Sequence, residues 1–188
     1  MESVRIPQER VAVLIGFRGE AKRRIEKKAK VKLKVDEEGL VEISAKDPYN
    51  EFIAKDVVRA VGRGFSPDDA LRLAGGDYYL KVIDLKSELG SDKAISRQKA
   101  RIIGEEGRTK RMIEQCACVK VSVYGSTVSF IGLLDEVELA SEAVSRLLEG
   151  KPHSFVYRLL EHGRKRMKEE RIAHMWEPIS GGVKGDGA

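Results

Sequence analysis

The sequence is poor in cysteine, in aromatic residues and in long apolar runs, and each shortage removes a class of protein. Two cysteines among 188 residues, Cys116 and Cys118, give no disulfide framework and point to a reducing compartment. They are separated by one residue, and no further Cys or His pair completes the spacing of a zinc site. The three histidines, His153, His162 and His174, all fall in the C-terminal helix region, and His162 and His174 are twelve residues apart, so they form no ligand pair on adjacent turns. No metal, no cofactor and no catalysis are therefore expected. A run of about 18 apolar residues, the minimum for crossing a bilayer, does not occur. Met1 to Arg10 is already charged and lacks the apolar centre of a signal peptide, so a soluble, cytoplasmic protein without a membrane partner is expected. Aromatic residues make up 6%, too few for the extended stacking platform that many single-strand binders use.

What is present is a core and an ionic surface. Apolar residues reach 41% and charged residues 35%, which excludes disorder along most of the chain. Thirty-five Lys and Arg against thirty Asp and Glu leave +5. From Arg18 to Lys34, nine basic and two acidic residues give +7, more than the net charge of the whole chain. A polyanion is the natural partner of such a concentration, although a basic run also serves as a solvated helix face.

The sequence repeats itself at an offset of 88 residues. Ile15-Gly16-Phe17-Arg18-Gly19 aligns with Ile103-Gly104-Glu105-Glu106-Gly107. Lys22, Arg23, Ile25 and Glu26 meet Lys110, Arg111, Ile113 and Glu114, and Val31, Lys32 and Val35 meet Val119, Lys120 and Val123. With a slip of one or two residues, Ala70-Leu71-Arg72-Leu73 meets Val156-Tyr157-Arg158-Leu159. The boundary falls near Gly75-Gly76, a linker dipeptide.

Both copies yield the same order of elements. In the first, Ser3–Ile6 is a strand, Gln8–Ile15 a helix, and a second helix runs to about Ala29 with Ala21, Ile25 and Ala29 inward. Val31, Leu33 and Val35 alternate with Lys32 and Lys34, the period of a half-buried strand. Asp36 to Gly39 turns the chain into a strand at Leu40–Ser44, and helices follow over Tyr49–Val61 and Asp68–Ala74. In the second copy the strand Tyr78–Leu85 precedes helices Asp92–Ile103 and Gly107–Ala117. Strands Val119–Val123 and Thr127–Ile131 and the helix Leu134–Leu148 complete it. Gly150 and Pro152 stop that helix. A last helix from His153 is expected to bury Phe155, Val156, Leu159 and Leu160 and to project into water beyond Glu161. The two copies are expected to pack side by side in a pseudo-symmetric arrangement.

Two helices joined by Gly-x-x-Gly form a short corner. Glycine permits positive φ and close approach of another backbone. The free amides and positive dipole end of the second helix suit a phosphate. A helical corner that needs glycine for geometry alone is the plainer explanation of one such loop. Here the loop occurs twice, at the same place in the unit and followed by Lys-Arg at the same offset. Gly104-x-x-Gly107-x-Thr109-Lys110 lacks the spacing of a nucleotide-binding P-loop.

Ile-Gly-x-x-Gly-x-x-Lys-Arg-x-Ile-Glu, followed by strand, hairpin, strand and helix, resembles the K-homology (KH) RNA-binding domain in its type I arrangement. The resemblance implies an α+β fold: two tandem βααββα units, each a three-stranded sheet packed against helices, with an extra C-terminal helix. Residues 1–75 are read as the first KH domain with a trailing helix and 76–150 as the second. Residues 151–176 are the C-terminal helix and 177–188 a flexible tail. The segment Arg101 to Glu114, with Gly150-Lys151-Pro152 and Val156-Tyr157, is similar to the archaeal form of the partner-of-NOB-one (Dim-two) family. That resemblance implies small-subunit ribosome maturation and binding of single-stranded rRNA near its 3′ end. It also implies partnership with the trimming endonuclease and with the alpha subunit of translation initiation factor two.

By the geometry of that module, Gly16, Phe17, Arg18 and Gly19 hold one RNA segment and Gly104, Glu105, Glu106 and Gly107 another. Lys22, Arg23, Arg101, Arg108, Lys110 and Arg111 lie within reach of phosphates, contacts that position a strand without reading it. Ile15, Ile25, Leu33, Ile103, Ile113 and Val121 are candidates for base contacts, with ordinary core the favoured reading of each. The acidic Glu105-Glu106 pair is unusual in a phosphate clamp. Two alternatives share the module: a protein-interaction scaffold, and another KH protein, such as an exosome subunit, without 3′-end specificity.

Overall fold

The computed structural model describes residues 2–176; the tail expected at 177–188 lies outside the described residues. The first unit contains β1 (Glu2–Arg5), α1 (Gln8–Ile15), α2 (Glu20–Ala29), β2 (Lys32–Val35), β3 (Leu40–Ser44) and α3 (Pro48–Gly62). A short helix α4 (Pro67–Ala70) and a 3-10 turn (Leu71–Gly75) follow. The second contains β4 (Tyr79–Asp84), α5 (Leu85–Leu89), α6 (Asp92–Ile103), α7 (Arg108–Ala117), β5 (Lys120–Tyr124), β6 (Thr127–Gly132) and α8 (Leu134–Leu148). The last helix, α9, spans His153–Trp176. Each unit is a three-stranded antiparallel sheet, in the orders β1-β3-β2 and β4-β6-β5, backed by helices.

Local chemistry sets these elements. Asp47 caps α3 by accepting the Tyr49 amide at 3.0 Å, with Pro48 in the first turn, and Ser91 caps α6 by accepting from Ala94. The register Leu33↔Ile43 and Val35↔Val41 turns the apolar half of each strand toward the helices and leaves Lys32 and Lys34 in solvent. Non-glycine residues with positive φ are Arg18, Lys30, Glu106 and Cys118 among the described residues, and they pair off at the repeat offset. Lys30 and Cys118 end α2 and α7 in the left-handed conformation that turns the chain into the next strand.

Three expectations change. The strand expected to reach Leu85 stops at Asp84, whose carboxylate accepts the Lys86 amide at 2.9 Å and starts α5, anchored by the buried Leu85. Phe155 is exposed rather than buried, because the inward stripe of α9 is Val156, Leu160, Gly163 and Met167. That helix also stays docked beyond Glu161. Gly163 lies over Leu139, where an added Cβ would come within 2.4 Å of Leu139 Cδ1. Further on, Arg171 donates to Glu136 at 2.9 Å and to Asp135 at 3.2 Å.

The units meet through unlike surfaces, so the expected pseudo-symmetric arrangement is not adopted. The first offers α1 and the corner after α3; the second offers the outer face of its sheet. Ser122 Oγ donates to the Arg63 carbonyl at 2.8 Å. The Tyr124 hydroxyl donates to Glu9, and the Arg10 guanidinium lies 5.7 Å from the Tyr124 ring centre. Burial, together with the Glu9 carboxylate, pushes the Tyr124 phenol up from its ordinary range. Gly64, at φ 97°, has no room for a Cβ, which would lie 2.6 Å from Ser122 Oγ. Every residue of β6 is buried. Val128 and Phe130 face their own helices, while Ile131 belongs to the core of the first unit.

Candidate nucleic-acid interface

Both Gly-x-x-Gly corners have one backbone shape. Gly16, Arg18 and Gly19 adopt φ/ψ of 71°/−179°, 50°/28° and 78°/16°. Gly104, Glu106 and Gly107 adopt 74°/172°, 50°/26° and 75°/16°. The two glycines of each corner do different work. A Cβ on Gly16 would lie 2.6 Å from Ala21 Cβ, and one on Gly104 would lie 2.3 Å from Thr109 Oγ1, so the first glycine lets the helices touch. Around Gly19 nothing lies within 4 Å, and around Gly107 the nearest atom is Arg111 Nη1 at 3.5 Å. The second glycine therefore leaves the crest open to a guest.

The two crests differ in charge. Phe17 is 78% exposed with the Arg18 guanidinium 5.2 Å from its ring centre, and Arg23 donates to the Arg18 carbonyl at 2.9 Å. Lys22 is half-buried beside them. The second crest carries exposed Glu105 and Glu106, with Arg108 and Arg111 exposed and Lys110 half-buried on the first turns of α7. Arg101 differs from the other cations: its guanidinium donates to the Leu147 carbonyl at 3.0 Å and to the Lys151 carbonyl at 2.7 Å. It joins α6 to the end of α8, the same work that Arg10 does on the Val61 and Phe65 carbonyls in the first unit.

Of the residues considered for base contacts, Ile25, Leu33, Ile113 and Val121 are core, at most 4% exposed. Ile15 is half-buried and Ile103 is 36% exposed, each ending the helix before its corner. Lys99, one turn before Ile103, donates to the Gly125 carbonyl at 2.8 Å, so this face of α6 looks toward the β5–β6 hairpin.

A neighbouring face of α6 opens on a cleft of about 620 Å³ between the second corner and α9. Arg97, Ala100, Arg101 and Gly104 line one side and His153 and Tyr157 the other. Sequence reasoning assigned no role to these two rings. Their spacing of one helical turn on α9 and the exchange of Leu71 for Tyr157 between the copies were the available signals.

Two βααββα units, each with a left-handed Gly-x-x-Gly corner between adjoining helices, define a tandem type I KH protein. Residues 79–165 match the model of the second PNO1 unit, described as a eukaryotic-type KH domain (KH-domain type I), and residues 1–60 match the KH domain model. A KH domain-containing protein of Methanocaldococcus jannaschii is 44% identical over 96% of this chain and 81% of its own length. The pre-rRNA-processing protein pno1 of Aspergillus fumigatus is 34% identical over 61% of this chain and 47% of its own. Among solved structures, Dim2p of Pyrococcus horikoshii OT3 superposes with a TM-score of 0.80 at 44% identity, covering 86% of this chain and 98% of that one. A chain from the crystal structure of an a/eIF2α–aDim2p–rRNA complex of the same organism gives 0.81 at 44% identity, covering 88% and 94%. The chain belongs to the PNO1/Dim2 family of KH-domain proteins. It spans less than half the length of that fungal relative.

Among the described residues, no helix is long and apolar enough to cross a membrane. No group of three or more His, Cys, Asp or Glu is placed to hold a metal among them.

Proposed function

We propose that this protein is a single-stranded RNA-binding factor of small ribosomal subunit maturation, acting by binding rather than by catalysis. The observation that carries the reading is the duplicated corner: two loops of one backbone shape, open at the second glycine and flanked by cations. In this reading Gly16, Phe17, Arg18 and Gly19 clamp one stretch of backbone, with Lys22 and Arg23 on its phosphates. Gly104, Glu105, Glu106 and Gly107 clamp another, with Arg108, Lys110 and Arg111 offsetting the acidic pair. Arg101 acts by bracing the end of α6 against the α8–α9 junction. The pre-rRNA-processing role in the names of fungal relatives and the rRNA in the neighbouring complex support rRNA as target; its small-subunit 3′-end region rests on the family resemblance alone. The same complex supports the alpha subunit of initiation factor two as a partner. The endonuclease partner rests on the family resemblance alone.

The test is a fluorescence-anisotropy titration with a single-stranded oligoribonucleotide of the rRNA 3′ end. Gly107→Asp puts a negative charge on the open crest, and Asp tolerates positive φ. It is expected to weaken binding at least tenfold with far-UV circular dichroism unchanged. Unaltered affinity would show that the second corner is not the clamp. Incubation of the oligonucleotide with protein and Mg²⁺ is expected to leave it intact. A protein-interaction scaffold is the second reading, favoured by the Glu105-Glu106 pair, and it predicts no RNA affinity in the same titration.

A further inference from the structure

The cleft between the second corner and α9 is built, not incidental. Tyr157 is fixed by a 2.9 Å hydrogen bond between its hydroxyl and Thr109 Oγ1, and Thr109 is the residue packed against Gly104. His153 is fixed by a 2.9 Å hydrogen bond from its Nε2 to the Arg101 carbonyl, while the Arg101 side chain is tied to Leu147 and Lys151. The two rings lie 6.1 Å apart at 54° to one another, and both are half-buried. Every wall is therefore referenced to the loop itself. The volume of about 620 Å³ falls inside the range of about 300–1,000 Å³ typical of small-ligand clefts. Arg97 and Arg108, both exposed, border it with the exposed Glu105 and leave its rim net positive.

In the first unit the positions that match His153 and Tyr157 are Pro67 and Leu71, neither of them aromatic. Aromatic residues are scarce in the chain as a whole, yet a Tyr and a His converge beside the one clamp loop whose crest is acidic.

We propose that this cleft takes the nucleobase flanking the segment clamped by Gly104–Gly107, stacked against the Tyr157 and His153 rings, with Arg97 and Arg108 on its phosphate. The proposal rests on the RNA-binding reading of the second corner. In this proposal the strand crosses the crest along the Ile103 face of α6 and its flanking nucleotide enters the cleft on the neighbouring face, which Gly104 and Arg108 share with the corner. An aromatic wall that accepts any base by its π-face extends the site in length rather than in sequence. α9 lies outside the βααββα unit, so the extension belongs to the second unit alone.

The experiment uses the full chain and two pools of random six-residue oligoribonucleotides. One carries 2-aminopurine at the first or last position, and the other an abasic ribose at the same position. With the unaltered protein, fluorescence is expected to be quenched at one of the two ends, and the abasic probe is expected to bind at least fivefold more weakly there. Tyr157→Ala should abolish the quenching and bring both probes to equal affinity, while Tyr157→Phe, which keeps the ring, should retain the difference. Equal binding of the two probes by the unaltered protein would overturn the proposal without any variant, as would a Tyr157→Ala protein that still distinguishes them. Gly107→Asp separates the two layers. If it leaves six-residue binding intact while the base-dependence persists, the clamp reading fails and the cleft stands; loss of all binding with base-dependence in the parent supports both.

Discussion

The Glu114 carboxylate accepts the amide of Val121 at 3.0 Å, tying the last turns of α7 to the start of β5 across the left-handed Cys118. Glu26 does the same for Leu33 at 2.9 Å in the first unit, across Lys30. The carboxylate satisfies an amide on the edge of the sheet and sets the angle between helix and strand, and hence the direction in which the corner points. Glu114→Ala leaves a half-buried amide unpaired and is expected to lower stability by about 1–3 kcal/mol. Glu114→Gln keeps an acceptor and is expected to lose less. Urea denaturation of the two variants against the parent measures both, and an Ala variant as stable as the parent would refute the role.

The two glycines of each corner separate under substitution. Gly104→Ala meets both Thr109 and a φ/ψ of 74°/172° that essentially only glycine adopts, so about 1–3 kcal/mol of backbone strain adds to about 1–3 kcal/mol of overpacking. Gly107→Ala meets only the strain, because its Cβ would face open space. Thermal melts should place Gly104→Ala well below Gly107→Ala, with Gly16 and Gly19 repeating the order. Equal losses would mean that neither the contact with Thr109 nor the glycine-only conformation of the first position contributes as described.

Charge at the crest sets the ionic-strength response. About five phosphate contacts give a log–log salt slope of roughly −3 to −4, at about 0.7 per phosphate for single strands. Replacing Glu105 and Glu106 together by Gln removes two like charges from beside the strand. Binding at low salt is expected to tighten by about two- to fivefold, with the gain fading as salt screens it. Anisotropy titrations across a salt series report both, and a flat dependence in the parent would contradict backbone clamping.

Asp56 on α3 supplies a pH signature. Burial pushes its carboxyl above the ordinary range, more strongly than Arg59 and Lys55 pull it down. With the folded value raised above the unfolded one, the folded state binds more protons, and stability falls as pH rises through that interval. Asp56→Asn should therefore be more stable than the parent at neutral pH and indistinguishable from it below the carboxylate range. Denaturation at pH 3 and pH 7 checks the sign; destabilisation by Asn at pH 7 would show that the ionised carboxylate is held favourably.

The repeat, the order of elements and the position of both corners were legible because each rests on local signals: paired glycines, period-2 strands, capping residues. α5 was not, since five residues carry too little periodicity to betray a helix, and its buried Leu85 continues the apolar run of β4. Phe155 was misplaced because its inward neighbours are chosen by Gly163, a residue without a side chain of its own to announce contact with Leu139. The charge of Arg101 and its nearness to the corner are legible in the sequence; its bonds to carbonyls more than forty residues away are not. The junction between the units escaped for the same reason. Nothing local in Thr127 to Gly132 states that both sides of that strand are covered.

That covered strand means a second KH domain cut free of the first would expose a face of its sheet that the intact chain keeps buried. Ile131 lies among the apolar side chains of the other half, so a cut at the Gly75-Gly76 linker would wet a residue that the intact chain keeps wholly dry. The two copies of the module thus share a stretch of core that neither closes alone.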